Sequence, residues 1–347
     1  MNRFRHVCFF LLALGLGVAG VVTAADLPPA DGTLLDDVAC PPNTLVTYEQ
    51  YVERRTARFA EEVEMAKQEG FTMTLPADMA PYLLSREELA KRQKYEGFEC
   101  RRIRYASDGL AVTGFLWKPK ETAGRKLPLI LFNRGGNREF GALTPWMKSG
   151  FYSFLAEGFV VLASQYRGND GGEGREEFGG AEVRDVLNLI PLARSLGYID
   201  MENVFTLGWS RGGMMTLLAL KAGLPVRAAA VGGAMIDMPA ETRRRPAMLS
   251  VYRDLIPGFA ERPEEAMRER SAMYWPERID VPLLLLHGGA DWRVDAGANA
   301  LALAQKLHGL GKEYELVVYA GDDHGISLNT NDADRRVVSW FERHKKR

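Results

Sequence analysis

Gly208-Trp209-Ser210-Arg211-Gly212-Gly213 is the arrangement a nucleophilic serine needs. A serine on a sharp strand-to-helix turn strains its backbone and packs its flanks tightly. Glycines two residues to either side remove the Cβ atoms that would clash there. A helix starting at Arg211 also points free N–H groups and the positive end of its dipole at the same spot. Such a hydroxyl requires a base, and the chain has five histidines. His6 belongs to the N-terminal leader. His287 ends a strand inside His287-Gly288-Gly289, where a structural role is expected. His308 lies within a helix, and His344 lies in the basic tail Arg343-His344-Lys345-Lys346-Arg347. His324 alone follows a sheet strand, in the loop Gly321-Asp322-Asp323-His324-Gly325, and is the expected base. The acid that orients it should also follow a strand. Asp291 does so after a short glycine-containing loop. Asp295 begins the next helix and is expected to cap it, while Asp322 and Asp323 sit too close to His324 in sequence. The implied chemistry is acyl transfer. Ser210 attacks a carbonyl, His324 carries the proton, and Asp291 holds the imidazole and its charged form.

These residues meet only if the intervening elements bring them to one edge. From residue 98 the pattern is one of strands. Phe98, Cys100, Ile103 and Tyr105 punctuate a polar run, and Ser107-Asp108-Gly109 turns it into a second strand at 111–117. Strands are then expected at 127–132, 159–166, 203–208, 228–233, 283–287 and 314–320. Helices are expected at 145–157, 181–196, 211–222, 296–308 and 332–343. In 181–196, Val183, Val186, Leu187 and Ile190 share one helical face. Repeated β-α units of this length imply an α/β fold: a mostly parallel central sheet with helices on both faces. Residues 238–277 break the pattern, being Arg- and Glu-rich with no strand signal. Lying between two sheet strands, they should form a small helical cap over the strands' C-terminal ends. Arg243-Arg244-Arg245 there either recognise an acidic substrate group or form a solvated basic face. Trp209 and Trp292 either line the cleft or pack. Ahead of the strands, 26–44 reads as an extended arm with Pro28-Pro29 and Pro41-Pro42, followed by helices at 47–70 and 85–96. The resulting division is a leader at 1–25, an N-terminal arm and helical extension at 26–97, and a catalytic domain at 98–347.

The chain has 347 residues, 46% hydrophobic and 26% charged, which suits a folded globular protein rather than a disordered one. With 44 Lys+Arg against 45 Asp+Glu and no basic cluster, it lacks the cation excess that a nucleic-acid partner requires. Arg3, Arg5 and His6 precede the apolar run Val7 to Val22 and the small residues Thr23-Ala24-Ala25, the three-part pattern of a secretory signal peptide cut near Ala24 or Ala25. The run is short, so no stable membrane anchor is expected after cleavage, and the protein should be secreted or periplasmic. Cys8 leaves with the leader. Cys40 and Cys100 remain, an even pair in an oxidising compartment, and are expected to form a disulfide. No Cys or His spacing suggests zinc.

Together these segments resemble the catalytic domain of the prolyl oligopeptidase family of serine peptidases, within the α/β-hydrolase superfamily. The resemblance rests on Tyr166-Arg167-Gly168 with its Gly-rich sequel, Gly208-Trp209-Ser210-Arg211-Gly212-Gly213, His287-Gly288-Gly289-Ala290-Asp291-Trp292-Arg293-Val294 and Asp323-His324-Gly325, and it covers 101–347. The order Ser210, Asp291, His324 is that of α/β-hydrolases. The resemblance implies a peptide substrate and no cofactor or metal. A carboxylic-ester hydrolase is the alternative, since the same machinery cleaves both. A catalytically silent binding protein is disfavoured by the presence of all three residues. Two departures stand out. Residues 26–100 are too few for the β-propeller that limits substrate size in larger family members, so a more open cleft taking short peptides or small acyl esters is expected. And where the family often has Tyr or His, this chain has Arg134 in Asn133-Arg134-Gly135-Gly136-Asn137. The oxyanion hole would then rest on backbone N–H groups, from Arg211 and from Gly135 or Gly136.

Overall fold

The computed structural model describes residues 29–347 apart from 43–44, 123, 146 and 148–149. The leader at 1–25 falls outside the described residues. The chain begins with strand β1 (Leu34–Ala39) and helices α1 (Tyr48–Gln68) and α2 (Arg86–Lys94). Next come β2 (Phe98–Ser107), β3 (Leu110–Pro119), β4 (Leu127–Asn133), α3 (Tyr152–Ala156) and β5 (Val160–Ser164). Helices α4 (Val183–Leu187) and α5 (Leu189–Ser195) lead to β6 (Ile199–Trp209), α6 (Arg211–Lys221) and β7 (Ala229–Gly232). Three short helices, α7 (Met238–Arg244), α8 (Met248–Leu255) and α9 (Pro263–Glu269), precede β8 (Leu283–Gly288), α10 (Ala302–Gly309), β9 (Tyr314–Tyr319) and α11 (Thr330–Arg343).

All nine strands join one sheet in the order β1-β2-β3-β5-β4-β6-β7-β8-β9. The first three pair antiparallel, β3 pairs antiparallel with β5, and from β5 to β9 every pairing is parallel. The parallel strands are apolar on both sides because both sides are covered. Leu283 and Leu285 of β8 face the cluster that holds α6 and α10, while Leu284 and Leu286 face the one that holds α3 and α11. β4 splits likewise, Leu129 and Leu131 one way, Ile130 and Phe132 the other. Among the described residues no helix is long and apolar enough to cross a membrane.

Four elements depart from the sequence expectation. The arm contains an edge strand, β1, whose Asp36 and Asp37 keep the exposed edge charged. Within the helix expected at 145–157, the described α-helical residues are Tyr152–Ala156. The single helix expected at 181–196 is broken at Asn188 into α4 and α5. Pro191 accounts for this, since it lacks the N–H that would bond to Leu187 and its ring crowds that carbonyl. The helix expected from 296 opens with a wider turn at Gly297–Leu301 before α10.

Cys40 is disulfide-bonded to Cys100, with the Cα atoms 5.3 Å apart, tying the end of β1 to β2. Closing a loop of sequence separation 60 is worth about 4 kcal/mol in the chain-entropy model.

Candidate active site

Ser210 sits between the last residue of β6 and the first of α6, with φ 59° and ψ −122°. That left-handed conformation is costly for a side chain and is held from both sides. Its N–H donates to Gly232 O at 2.8 Å, and its carbonyl accepts from Gly213 N at 2.9 Å. The flanking glycines are sterically required. A Cβ on Gly208 would lie 2.1 Å from Gly212 O, and one on Gly212 would lie 1.9 Å from Asn133 O. Gly135 is also close, a Cβ there falling 2.9 Å from Trp209 O.

His324 and Asp291 arrive from the loops after β9 and β8. His324 Nδ1 lies 2.7 Å from Asp291 Oδ2. The buried Asp291 carboxylate meets four donors. Oδ1 accepts from the N–H groups of Arg293 (2.8 Å) and Val294 (3.0 Å). Oδ2 faces His324 and also His287 Nε2, at 3.3 Å. Burial works against ionisation of Asp291, but the charge of His324 and the hydrogen bonds from His287 and His324 outweigh it, holding the carboxyl well below the usual carboxylate range. The His324 loop is wound around Asp322, wholly buried, whose oxygens accept from the N–H groups of Asp323, Leu328 and Asn329. Asp295 accepts from Ala298 N at 2.7 Å, the capping role expected of it.

Ser210 and His324 line one cavity of about 490 Å³, together with Arg211, Gly135 and Gly136. Among the described residues Ser210 Oγ and His324 Nε2 make no hydrogen bond to each other or to a third group, so both are open to the cavity. Catalytic hydrogen bonds are commonly long in ligand-free enzymes. The peptide planes beside Ser210 are braced by two buried arginines. Arg134 Nη1 donates to Gly135 O at 3.2 Å, and Arg211 Nη1 donates to Gly136 O at 2.9 Å. Arg211 is itself paired with Glu176 at 2.9 Å and Glu182 at 2.6 Å, so its buried charge is compensated. Arg134 spends its remaining donors on the carbonyls of Gln165, Arg138 and Phe140. It therefore supports the loop rather than replacing a Tyr or His donor in the cavity. Among the described residues no group of three or more His, Cys, Asp or Glu is placed to hold a metal ion.

The cover over this site is built by α1 as much as by 238–277. Glu62 of α1 takes two hydrogen bonds from Arg293, at 2.8 and 2.9 Å, and Glu69 takes two from Arg245, at 2.5 and 2.7 Å. Phe71 packs on Trp292 with ring centroids 5.7 Å apart. The basic triplet thus divides. Arg245 clamps α1, and Arg244 donates to Glu241 and to Asp291 O. Trp209 lines the cavity and donates to His324 O at 2.9 Å, whereas Trp292 is buried under α1.

Sequence reasoning assigned His287 a structural role and missed its contact with Asp291. The signal was its position four residues before that acid. The glutamates that anchor Arg211 were also missed, because pairing across 35 and 29 residues has no local signature.

A mostly parallel sheet with a serine at a strand-to-helix elbow and a His–Asp pair on later strand-end loops defines an α/β-hydrolase. Residues 145–347 match the prolyl oligopeptidase family. An uncharacterised peptidase of Bacillus subtilis, YtmA, is 31% identical over 237 residues, which is 68% of this chain and 89% of that protein. The chain belongs to the prolyl oligopeptidase family of serine peptidases. Mouse dipeptidyl peptidase 8 is 28% identical over 251 residues, but the match covers only 26% of its length. The solved acylaminoacyl peptidase of Pyrococcus horikoshii shares the fold with a TM-score of 0.64 at 23% identity, covering 76% of this chain and 44% of that one.

Proposed function

We propose that this chain is a secreted or periplasmic serine peptidase acting on short peptides through an acyl-enzyme. Ser210 is the nucleophile, His324 the general base and then acid, and Asp291 the orienting carboxylate. The N–H of Arg211 and one from Gly135 or Gly136 receive the oxyanion. The observation that carries this reading is the His324–Asp291 pair opening onto the same cavity as Ser210. The compartment is supported by the leader pattern and by the Cys40–Cys100 bond. Mass spectrometry of native, unreduced protein checks both. A chain starting at Ala25 or Asp26 with the bridge intact supports the reading, and a retained leader removes it.

The clamp between α1 and the Asp291 loop supports a size limit set by this helix. The test is a panel of peptides of increasing length, with p-nitrophenyl esters alongside. Short peptides should be cleaved fastest. Loosening α1 with Glu62→Ala plus Glu69→Ala should raise kcat/KM on the longer peptides relative to the short ones. Cleavage of esters alone across a broad peptide library would replace the peptidase reading by the esterase one. An unchanged length profile in the double variant would remove α1 from substrate selection.

A further inference from the structure

The cavity that Ser210 and His324 share extends onto one face of α11. Thr330, Ala333, Asp334 and Val337 line it, at the i, i+3, i+4, i+7 spacing of a single helical stripe. The surrounding wall is apolar and largely aromatic: Phe132, Phe151, Phe154, Leu207 and Leu286. Asp334 is the exception on this wall. Its Oδ2 accepts from Ser153 Oγ at 2.8 Å, and among the described residues Oδ1 has no hydrogen-bond partner. The nearby cation is Arg92 of α2, itself buried and committed to Glu88 and Asn331 at 2.8 and 2.7 Å. Burial pushes the Asp334 carboxyl up to about 6, more than the Ser153 bond and the Arg92 charge can offset. Asp334 is only half-buried, so Oδ1 is open to the cavity and can accept from a donor that enters it. The partner that suits it is a cation on a flexible apolar stem, which can lie along aromatic walls and present its charged head at the end.

Resting on the hydrolase reading above, we infer that this cavity takes the acyl-side residue of the substrate and that Asp334 selects a lysine- or arginine-like cation there. The apolar walls fit the stem, and Asp334 Oδ1 accepts from the ammonium or guanidinium. No chemical step is added. The acyl bond cleaved is the one Ser210 attacks, and Asp334 acts only on which residue is held there.

The test compares aminoacyl amides that share one fluorogenic leaving group and carry lysine, arginine or norleucine, the last having the lysine stem without its charge. Wild type is expected to favour lysine over norleucine by about 10- to 100-fold in kcat/KM, the worth of one charge-assisted hydrogen bond in a desolvated site. Asp334→Asn should erase most of that ratio while retaining norleucine turnover. Wild type with no preference for the cation would overturn the inference without any variant being made, and so would an Asp334→Asn enzyme with the ratio intact. A second arm is independent of turnover: pentylamine against 1-pentanol, tested for thermal stabilisation of Ser210→Ala with and without Asp334→Asn. Stabilisation of Ser210→Ala by the amine that needs Asp334, alongside a wild type that hydrolyses none of the amides, would uphold the pocket and overturn the hydrolase reading. Ser210-dependent hydrolysis that ignores charge would do the reverse.

Discussion

Replacing Ser210 with alanine is expected to lower kcat/KM by roughly 10⁵- to 10⁶-fold and to abolish labelling by a fluorophosphonate. The size follows from what is lost and what is kept. The substitution removes one oxygen at a half-buried position where that oxygen has no protein partner among the described residues. The Cβ stays, and so do the φ of 59° and the bonds to Gly232 and Gly213 that impose it. Stability should therefore change by less than about 0.5 kcal/mol. The cavity and its backbone donors also stay, so binding and oxyanion stabilisation still supply roughly 10³-fold over water. A melting curve beside the rate measurement separates lost chemistry from lost fold. An alanine variant that still takes the label would move the nucleophile to another residue.

What could be read ahead of the structure was the part carried by local rules. The elbow was visible because Gly208 and Gly212 are the residues a strained turn demands. His324 and Asp291 were visible because β-α periodicity says where strands end, and few titratable groups follow them. What escaped depends on pairing between distant segments. Of the two glutamates that hold Arg211, Glu176 lies in an irregular Gly-rich stretch where no period marks a buried side chain, and Glu182 stands at the start of α4, where an acid reads as an ordinary helix-end charge. The α1 clamp needs Glu62 and Glu69 to meet Arg293 and Arg245, and on the sequence those are ordinary solvated charges. β1 has no alternation to announce it, since Leu34-Leu35-Asp36-Asp37-Val38 lies at an exposed sheet edge and buries no face. Two misses were legible after all. Pro191 sat inside an expected helix and should have broken it. Asp334, half-buried, flanks the buried Ala333, Val337 and Phe341 of α11, where a carboxylate is out of pattern. Conflicts between a residue and its face are where function tends to sit.

Asp291→Asn is expected to cost about 10⁴-fold in kcat with little change in KM, because the substitution reverses a hydrogen bond it cannot repair. Asparagine must keep its carbonyl toward the N–H groups of Arg293 and Val294, which both point at Oδ1 in the wild type. Its NH₂ then occupies the place of Oδ2, 2.7 Å from His324 Nδ1. A donor there selects the tautomer with Nδ1 unprotonated, which puts the proton on Nε2, where the serine hydroxyl needs an acceptor. His287 closes the other escape. Its Nε2 is 3.0 Å from Val294 O, which requires a proton on that nitrogen, so the new NH₂ meets a second donor on its far side. The ionisation argument has the same sign. Asp291 is held below the usual carboxylate range, so its ionised form adds stability above the unfolded value and that stability is lost only as pH falls through the lower, folded value. Loss of rate on mild acidification in the wild type is therefore not due to protonation of Asp291. Asp295→Asn is the control, because asparagine caps a helix as well as aspartate does and Asp295 bonds to Ala298 N rather than to His324. That variant should keep both rate and melting temperature. If Asp295→Asn proves the damaging change and Asp291→Asn the silent one, the orienting acid has been assigned to the wrong residue.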